Sequence, residues 1–145
     1  TKPLSHQGTL IDDIRVVFEK GSITEAKASK GETVLKKVLD SDEGARRLGE
    51  VALVPNSSPI SSSGLLFYNT LFDENAACHI ALGQCYSKCF REYIGKDPAA
   101  VAAAGGNSSN IHVDWMIGSG ELNIDGITQD GERVPVMRNG EWAYE

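Results

Sequence analysis

Apolar and polar positions alternate along this chain with two different periods. Over DIRVVFEKGSITEAKAS (13–29) two short runs rich in β-branched residues flank Lys20-Gly21, which predicts a β-hairpin. Over GETVLKKVLD (31–40) Val34, Leu35, Val38 and Leu39 fall on one helical face. DSDEGARRLGE (40–50) reads as a second short helix, with Asp40 and Glu43 at capping-box spacing. EVALVP (50–55) is an apolar strand stopped by Pro55. NSSPISSSG (56–64) has no period and reads as a loop, and LLFYNT (65–70) as a brief strand. The alanines at 76, 77 and 81, with Leu82, predict a helix over residues 74–90 capped by Asp73. KDPAAVAAAGGNSSN (96–110) reads as an Ala/Gly loop. IHVDWMIG, ELNIDGIT and RVPVMRN then read as a β-meander turning at Ser119-Gly120 and Asp130-Gly131.

These elements predict one α+β domain over residues 1–145: a mixed, largely antiparallel sheet with a C-terminal meander and about three helices. No repeat or inter-domain linker interrupts it. A net charge of −6 argues against nucleic acid, which needs clustered Lys and Arg. No apolar run approaches a membrane span, and the polar opening TKPLSHQG is unlike a signal peptide. Three cysteines are an odd count, which points away from a disulfide framework and towards a reducing cytoplasm. The chain opens at Thr1 without a methionine, as expected of a piece of a longer protein or a processed one.

Candidate chemistry lies in three places. On the expected helix His79 and Tyr86 are seven residues apart and would share a face, with Cα atoms about 10 Å apart. Cys78 and Cys85 would share a different face. No Cys-x-x-Cys knuckle is present, so a zinc finger is disfavoured and the cysteines read as packing residues between helix and sheet. A Cys78/His79 nucleophile–base pair is disfavoured too, because neighbouring helical residues point about 100° apart. On the expected strand, His112 and Asp114 point to one side about 7 Å apart, with Ile111, Val113, Trp115 and Ile117 on a core face. Imidazole and carboxylate are ligands that zinc, cobalt and manganese accept. Glu50 stands at the mouth of an apolar strand, where a carboxylate is costly unless it is paired or metal-bound. Each feature also has an ordinary reading: a satisfied histidine, a hydrogen-bonded His–Asp pair, or a glutamate paired with Arg46 or Arg47. His6 reads as structural or exposed.

Taken together, LDSDEGARRLGEVALVPNSSPISSSGLLFYNTLFDENAACHIALG, then Tyr86, then HVDWMIGSGELNIDGI and VPVMRNGEW, resemble the aminopeptidase T/aminopeptidase S family of two-metal metallopeptidases, in its C-terminal portion. The resemblance implies metal ligands at Glu50 (commonly bridging), His79, Tyr86, His112 and Asp114. It also implies two divalent ions, zinc or cobalt, with magnesium or manganese possible. The implied activity is removal of N-terminal residues from peptides by a metal-activated water, in a homodimer. The family's PTEEVF-like segment, expected to supply a further ligand and the general base, would lie upstream of Thr1, as would an N-terminal domain. A non-catalytic metal-binding or dimerisation fragment is the alternative. Asp73, Glu74, Asn75 and Asn107 are candidates to hydrogen-bond the ligand histidines.

Overall fold

The computed structural model describes residues 1–90 and 97–144. Two N-terminal hairpins come first, β1 (Leu4–His6) with β2 (Thr9–Ile11), and β3 (Arg15–Glu19) with β4 (Ser22–Lys27). The second turns at Lys20-Gly21 as expected, both residues having positive φ. Helix α1 (Glu32–Leu39) buries Leu35, Val38 and Leu39. They join Leu4, Ile11, Ile14, Ile23, Leu82, Val113 and Trp115 in the core.

The sheet that matters most has the order β5-β6-β7: β5 (Leu48–Ala52), β6 (His79–Gly83) and β7 (His112–Met116). A second sheet joins β8 (Ile124–Ile127), β9 (Arg133–Arg138) and β10 (Glu141–Trp142). All named strand pairs are antiparallel. Four α-helices are present among the described residues. The α+β class therefore stands, with the strands divided among four small sheets.

Several expected elements are corrected. The helix over 74–90 is absent. A 3₁₀ turn (Glu74–Ala76) leads into β6, and a second 3₁₀ turn spans Ser87–Cys89. Strand β6 lies between two partners and is buried at His79, Ala81, Leu82 and Gly83. A central strand covered on both faces is apolar throughout, so it lacks alternation, and pairing on both edges outweighs the helical preference of alanine. Asp73 does not cap a helix there; it ends α3 (Thr70–Asp73) and accepts from the amides of Phe67 (2.7 Å) and Asn69 (3.0 Å).

Asp42, not Asp40, caps the 3₁₀ turn Glu43–Arg46. The Ser/Pro stretch forms helix α2 (Pro59–Ser63), with Ser58 capping and Pro59 at its first position. Asp97 and Pro98 do the same for α4 (Pro98–Ala103), inside the stretch expected to be a loop; Lys96 lies outside the described residues. Residues 65–69 are irregular rather than a strand. The meander is broken after β7, which pairs with β6, so Ser119-Gly120 is no hairpin turn, whereas Gly131 does sit in the β8–β9 turn. Ile117, just past β7, is exposed rather than in the core.

Candidate metal centre

The register of the three-stranded sheet places the candidate residues. Glu50 pairs with Ala81, and Ala81 pairs with Asp114; Gly83 pairs with His112 and Ala52 with His79. Directly opposed residues share a face. Glu50, His79, His112 and Asp114 therefore project on one side, while Leu82, Val113 and Trp115 project into the core. The small side chain of Ala81 leaves room between the two carboxylates.

Glu50 reaches this side because β5 carries a bulge. The pairing steps from Leu48↔Leu82 to Glu50↔Ala81, so Gly49 is the extra residue and Glu50 is turned over. A Cβ at Gly49 would stand 2.5 Å from the carbonyl oxygens of both Gly83 and Gln84, so only glycine fits. A Cβ at Gly83, where φ is +93°, would stand 2.2 Å from the Ile111 carbonyl oxygen.

The two histidines are set alike. His79 Nδ1 lies 3.1 Å from the Ala77 carbonyl, and His112 Nδ1 lies 2.7 Å from the Gln84 carbonyl. A carbonyl can only accept, so each Nδ1 carries the proton. Nε2 of each ring is then the nitrogen that faces the site. His79 Nε2 stands 3.4 Å from Glu50 Oε1, and His112 Nε2 stands 3.5 Å from Glu50 Oε2. One carboxylate thus faces two imidazoles through two different oxygens. His112 Nε2 is also 3.3 Å from Asp114 Oδ1. Glu50, His79 and Asp114 can each bring a ligand atom within 4.8 Å of the others. Nitrogen and oxygen atoms of two imidazoles and two carboxylates thus converge on one space. A set of imidazoles and carboxylates suits a divalent metal.

Tyr86 is not on a helix face shared with His79. It follows the end of β6, is half-exposed, and packs its ring on His112 at 4.7 Å between centroids. Partial burial, followed by the charges of Asp114, Glu50 and Glu74, raises its hydroxyl pKa, and a bound cation would act the other way. Cys78, just before β6, turns its sulfur to Val54 and Met137 while the His79 ring faces the site, so the pair is still excluded as nucleophile and base. Cys78 is buried among strands, beside Val54 and 3.6 Å from Met137 Sδ; Cys85 is buried and Cys89 exposed. The expected helix–sheet interface for the cysteines is not formed at Cys78.

Of the expected supporting residues, none touches a histidine nitrogen. Asp73 is committed to its own loop, and Asn75 donates to the Leu71 carbonyl. Asn107 ties the Gly44 carbonyl to that of Gly83. The histidines are held by main-chain carbonyls, which no residue identity announces. Arg46 bonds Asp40 and the Ile23 carbonyl, and Arg47 the Lys20 carbonyl; neither meets Glu50. Glu74 stands against Asp114. Burial first, then the Asp114 charge and a hydrogen bond with it, raises the Glu74 pKa. His6, expected to be structural or exposed, lines the site instead, and burial lowers its pKa. A cavity of about 350 Å³ opens over the cluster, walled by His6, Thr70, Leu71, Glu74, Tyr86 and Val113 around Glu50, His112 and Asp114. No helix among the described residues is long and apolar enough to cross a membrane.

Comparison with known proteins agrees in family. The chain is 52% identical over 145 residues to Aminopeptidase 2 of Geobacillus stearothermophilus, covering 100% of this chain and 35% of that protein. It is 54% identical to Aminopeptidase T of Thermus thermophilus, covering 99% of this chain and again 35% of the relative. A solved structure described as wild-type AmpT from Thermus thermophilus superposes with a TM-score of 0.89 at 53% identity, covering 99% of this chain and 35% of that one. The chain thus spans about a third of the length of these relatives. The profile described as thermophilic metalloprotease (M29) matches residues 1–142, and this chain belongs to that peptidase family.

Proposed function

We propose that residues 1–145 form one domain, the metal-holding C-terminal portion of an aminopeptidase that removes N-terminal residues from peptides. The observation that carries this is the placement of Glu50. Its two oxygens face the Nε2 atoms of two histidines whose other nitrogens are fixed by carbonyls. That is what a carboxylate shared between two cations needs. In this reading Glu50, His79, His112 and Asp114 would hold the ions, with Glu50 placed so that both could share it. Tyr86 completes the set and shields the His112 ring. The relatives are named aminopeptidases, which supports the substrate class.

The bound divalent ions, zinc or cobalt, would acidify a water and polarise the scissile carbonyl. The chain's own residues do the rest. The Ala77 and Gln84 carbonyls hold both imidazoles by Nδ1 and aim each Nε2 inward. The wall of Thr70, Leu71 and Tyr86 limits water over the cluster and gives the substrate side chain a surface. A general base and a further carboxylate are expected from upstream sequence, the enzyme acting as a homodimer. Free cysteines fit a cytoplasmic setting.

Because the chain covers 35% of the relatives' length, a second reading is a module that binds metal without catalysis. Hydrolysis of an aminoacyl-nitroanilide separates the two. Cobalt-dependent turnover that His112→Ala abolishes is expected for the enzyme; metal binding with no turnover favours the module.

A further inference from the structure

The metal cavity does not end at His6 and His112. Both residues also line a second space of about 590 Å³, between the β1–β2 hairpin, helix α1 and the start of β7. At about 350 Å³ and about 590 Å³, each space falls in the range of roughly 300–1,000 Å³ that small ligands occupy. We propose that this second groove takes the part of the peptide beyond the scissile bond, and that Lys37 binds the C-terminal carboxylate of a short peptide lying in it. This inference rests on the aminopeptidase reading above.

The lining of the groove suits a peptide. Val34, Val38 and Ile111 supply apolar surface for side chains. Around them stand Gln7, Thr9 and Asn110, whose side chains make no hydrogen bond among the described residues. A peptide offers carbonyl acceptors and amide donors in turn. A carboxamide or a hydroxyl carries both kinds of group and meets either.

Charge selects the end of the peptide. Among the described residues, Lys37 is the one Lys or Arg that lines the groove, and no Asp or Glu lines it. The neighbouring Lys36 pairs with Glu32, whereas Lys37 makes no ion pair among the described residues. Its ammonium brings three donors and no acceptor, which a free carboxylate matches. An internal stretch of a long chain, or an amidated end, brings no such charge and gains little there.

The walls are fixed, which turns the groove into a measure of length. Lys37 rides on α1, whose Leu35, Val38 and Leu39 are buried in the core. Asn110 is held through its amide by Asp42 at 2.6 Å. Gln7 and Gly8, both at positive φ, form the tight turn of the β1–β2 hairpin. An extended peptide advances about 3.3–3.6 Å per residue, so each added or missing residue moves its carboxylate past Lys37 by about that distance.

The test is calorimetric binding of a peptide series to the zinc-loaded protein. The series runs from Leu-Ala to Leu-Ala-Ala-Ala-Ala, with the first carbonyl replaced by a methylene so that nothing is cleaved. Each member is used with a free carboxylate and with a C-terminal amide. Wild type is expected to prefer the acid, most strongly at one length. Lys37→Met should lose about 3- to 10-fold of that preference, the worth of a charge-assisted contact at an exposed side chain. Its affinity for the amides and for zinc should stay as in wild type. Lys36→Met, which removes the adjacent charge, should keep the preference. The inference is overturned if wild type shows no preference for the acid at any length, if Lys37→Met keeps the full preference, or if Lys36→Met loses as much as Lys37→Met. Absent turnover of the natural peptides would instead count against the aminopeptidase reading, and binding of the analogues would still decide the role of Lys37.

Discussion

At the scale of single residues, the site is a matter of which atom faces which. His112 and Asp114 were legible, because two residues apart on a strand must share a side. Glu50 was legible as a carboxylate that an apolar strand does not favour. The carbonyls of Ala77 and Gln84, which decide the histidine tautomers, were not legible, since main-chain groups leave no mark in a sequence. Asp42 was missed as well, because a capping pattern pointed to Asp40. Its carboxylate accepts from the amides of Asn110 (2.6 Å) and Ala45 (2.9 Å) and from the Ser109 hydroxyl (2.8 Å). It therefore staples the turn before β5 to the loop before β7. The Asn110 amide is the main reason that its pKa lies below the ordinary 3.8, with the Ser109 hydroxyl next. A depressed carboxylate contributes stability that is fully present above the unfolded value and fades as pH falls through the folded one. Melting temperatures of the wild type and Asp42→Asn should accordingly differ at neutral pH, begin to draw together below about pH 4 and converge only once the pH has fallen through the lower, folded value. A gap that persists unchanged in acid would show that the Asp42 charge is not what holds the two segments.

At the scale of elements, the largest difference between sequence and structure is β6. Its residues have helical propensities, and alternation is absent because both faces are covered. Propensity is local, while a central strand is fixed by partners 30 residues away on either side, as the pairings of Glu50 with Ala81 and of Ala81 with Asp114 illustrate. The short helices α2 and α4 were missed for the opposite reason: their Ser-Pro and Asp-Pro starts signal helices, but the residues that follow carry no apolar period. The β5 bulge is the element on which the site turns. Gly49→Ala would push its Cβ into the Gln84 carbonyl, which orients His112, and would disturb the turnover of the strand that presents Glu50. Displaced support for a metal-binding histidine typically costs 10- to 100-fold in affinity. Titration of Gly49→Ala with zinc should show a loss of that order in a protein whose circular dichroism is that of the wild type. Undiminished affinity would mean that the bulge is not what aims Glu50 and His112.

At the scale of the whole molecule, one sheet separates two chemistries. Its inner side adds Leu82, Val113 and Trp115 to the core, and its other side gathers carboxylates and imidazoles under a cavity. That division is what allows charged groups to be held without disturbing the hydrophobic packing. The α+β class and the M29 family membership were both legible, the family through long stretches met in order. The partition into four sheets was not, because hairpin signals report neighbours in sequence and β5-β6-β7 joins segments far apart. The central claim is that Glu50 is shared between two divalent ions held together with His79, His112 and Asp114. Zinc titration of the wild type and Glu50→Gln, followed calorimetrically, tests it most directly. The account predicts two zinc ions bound per wild-type chain, and weakening of both binding steps by at least about 10-fold in Glu50→Gln. A wild type that binds no zinc, or a Glu50→Gln protein that keeps both steps intact, would contradict it.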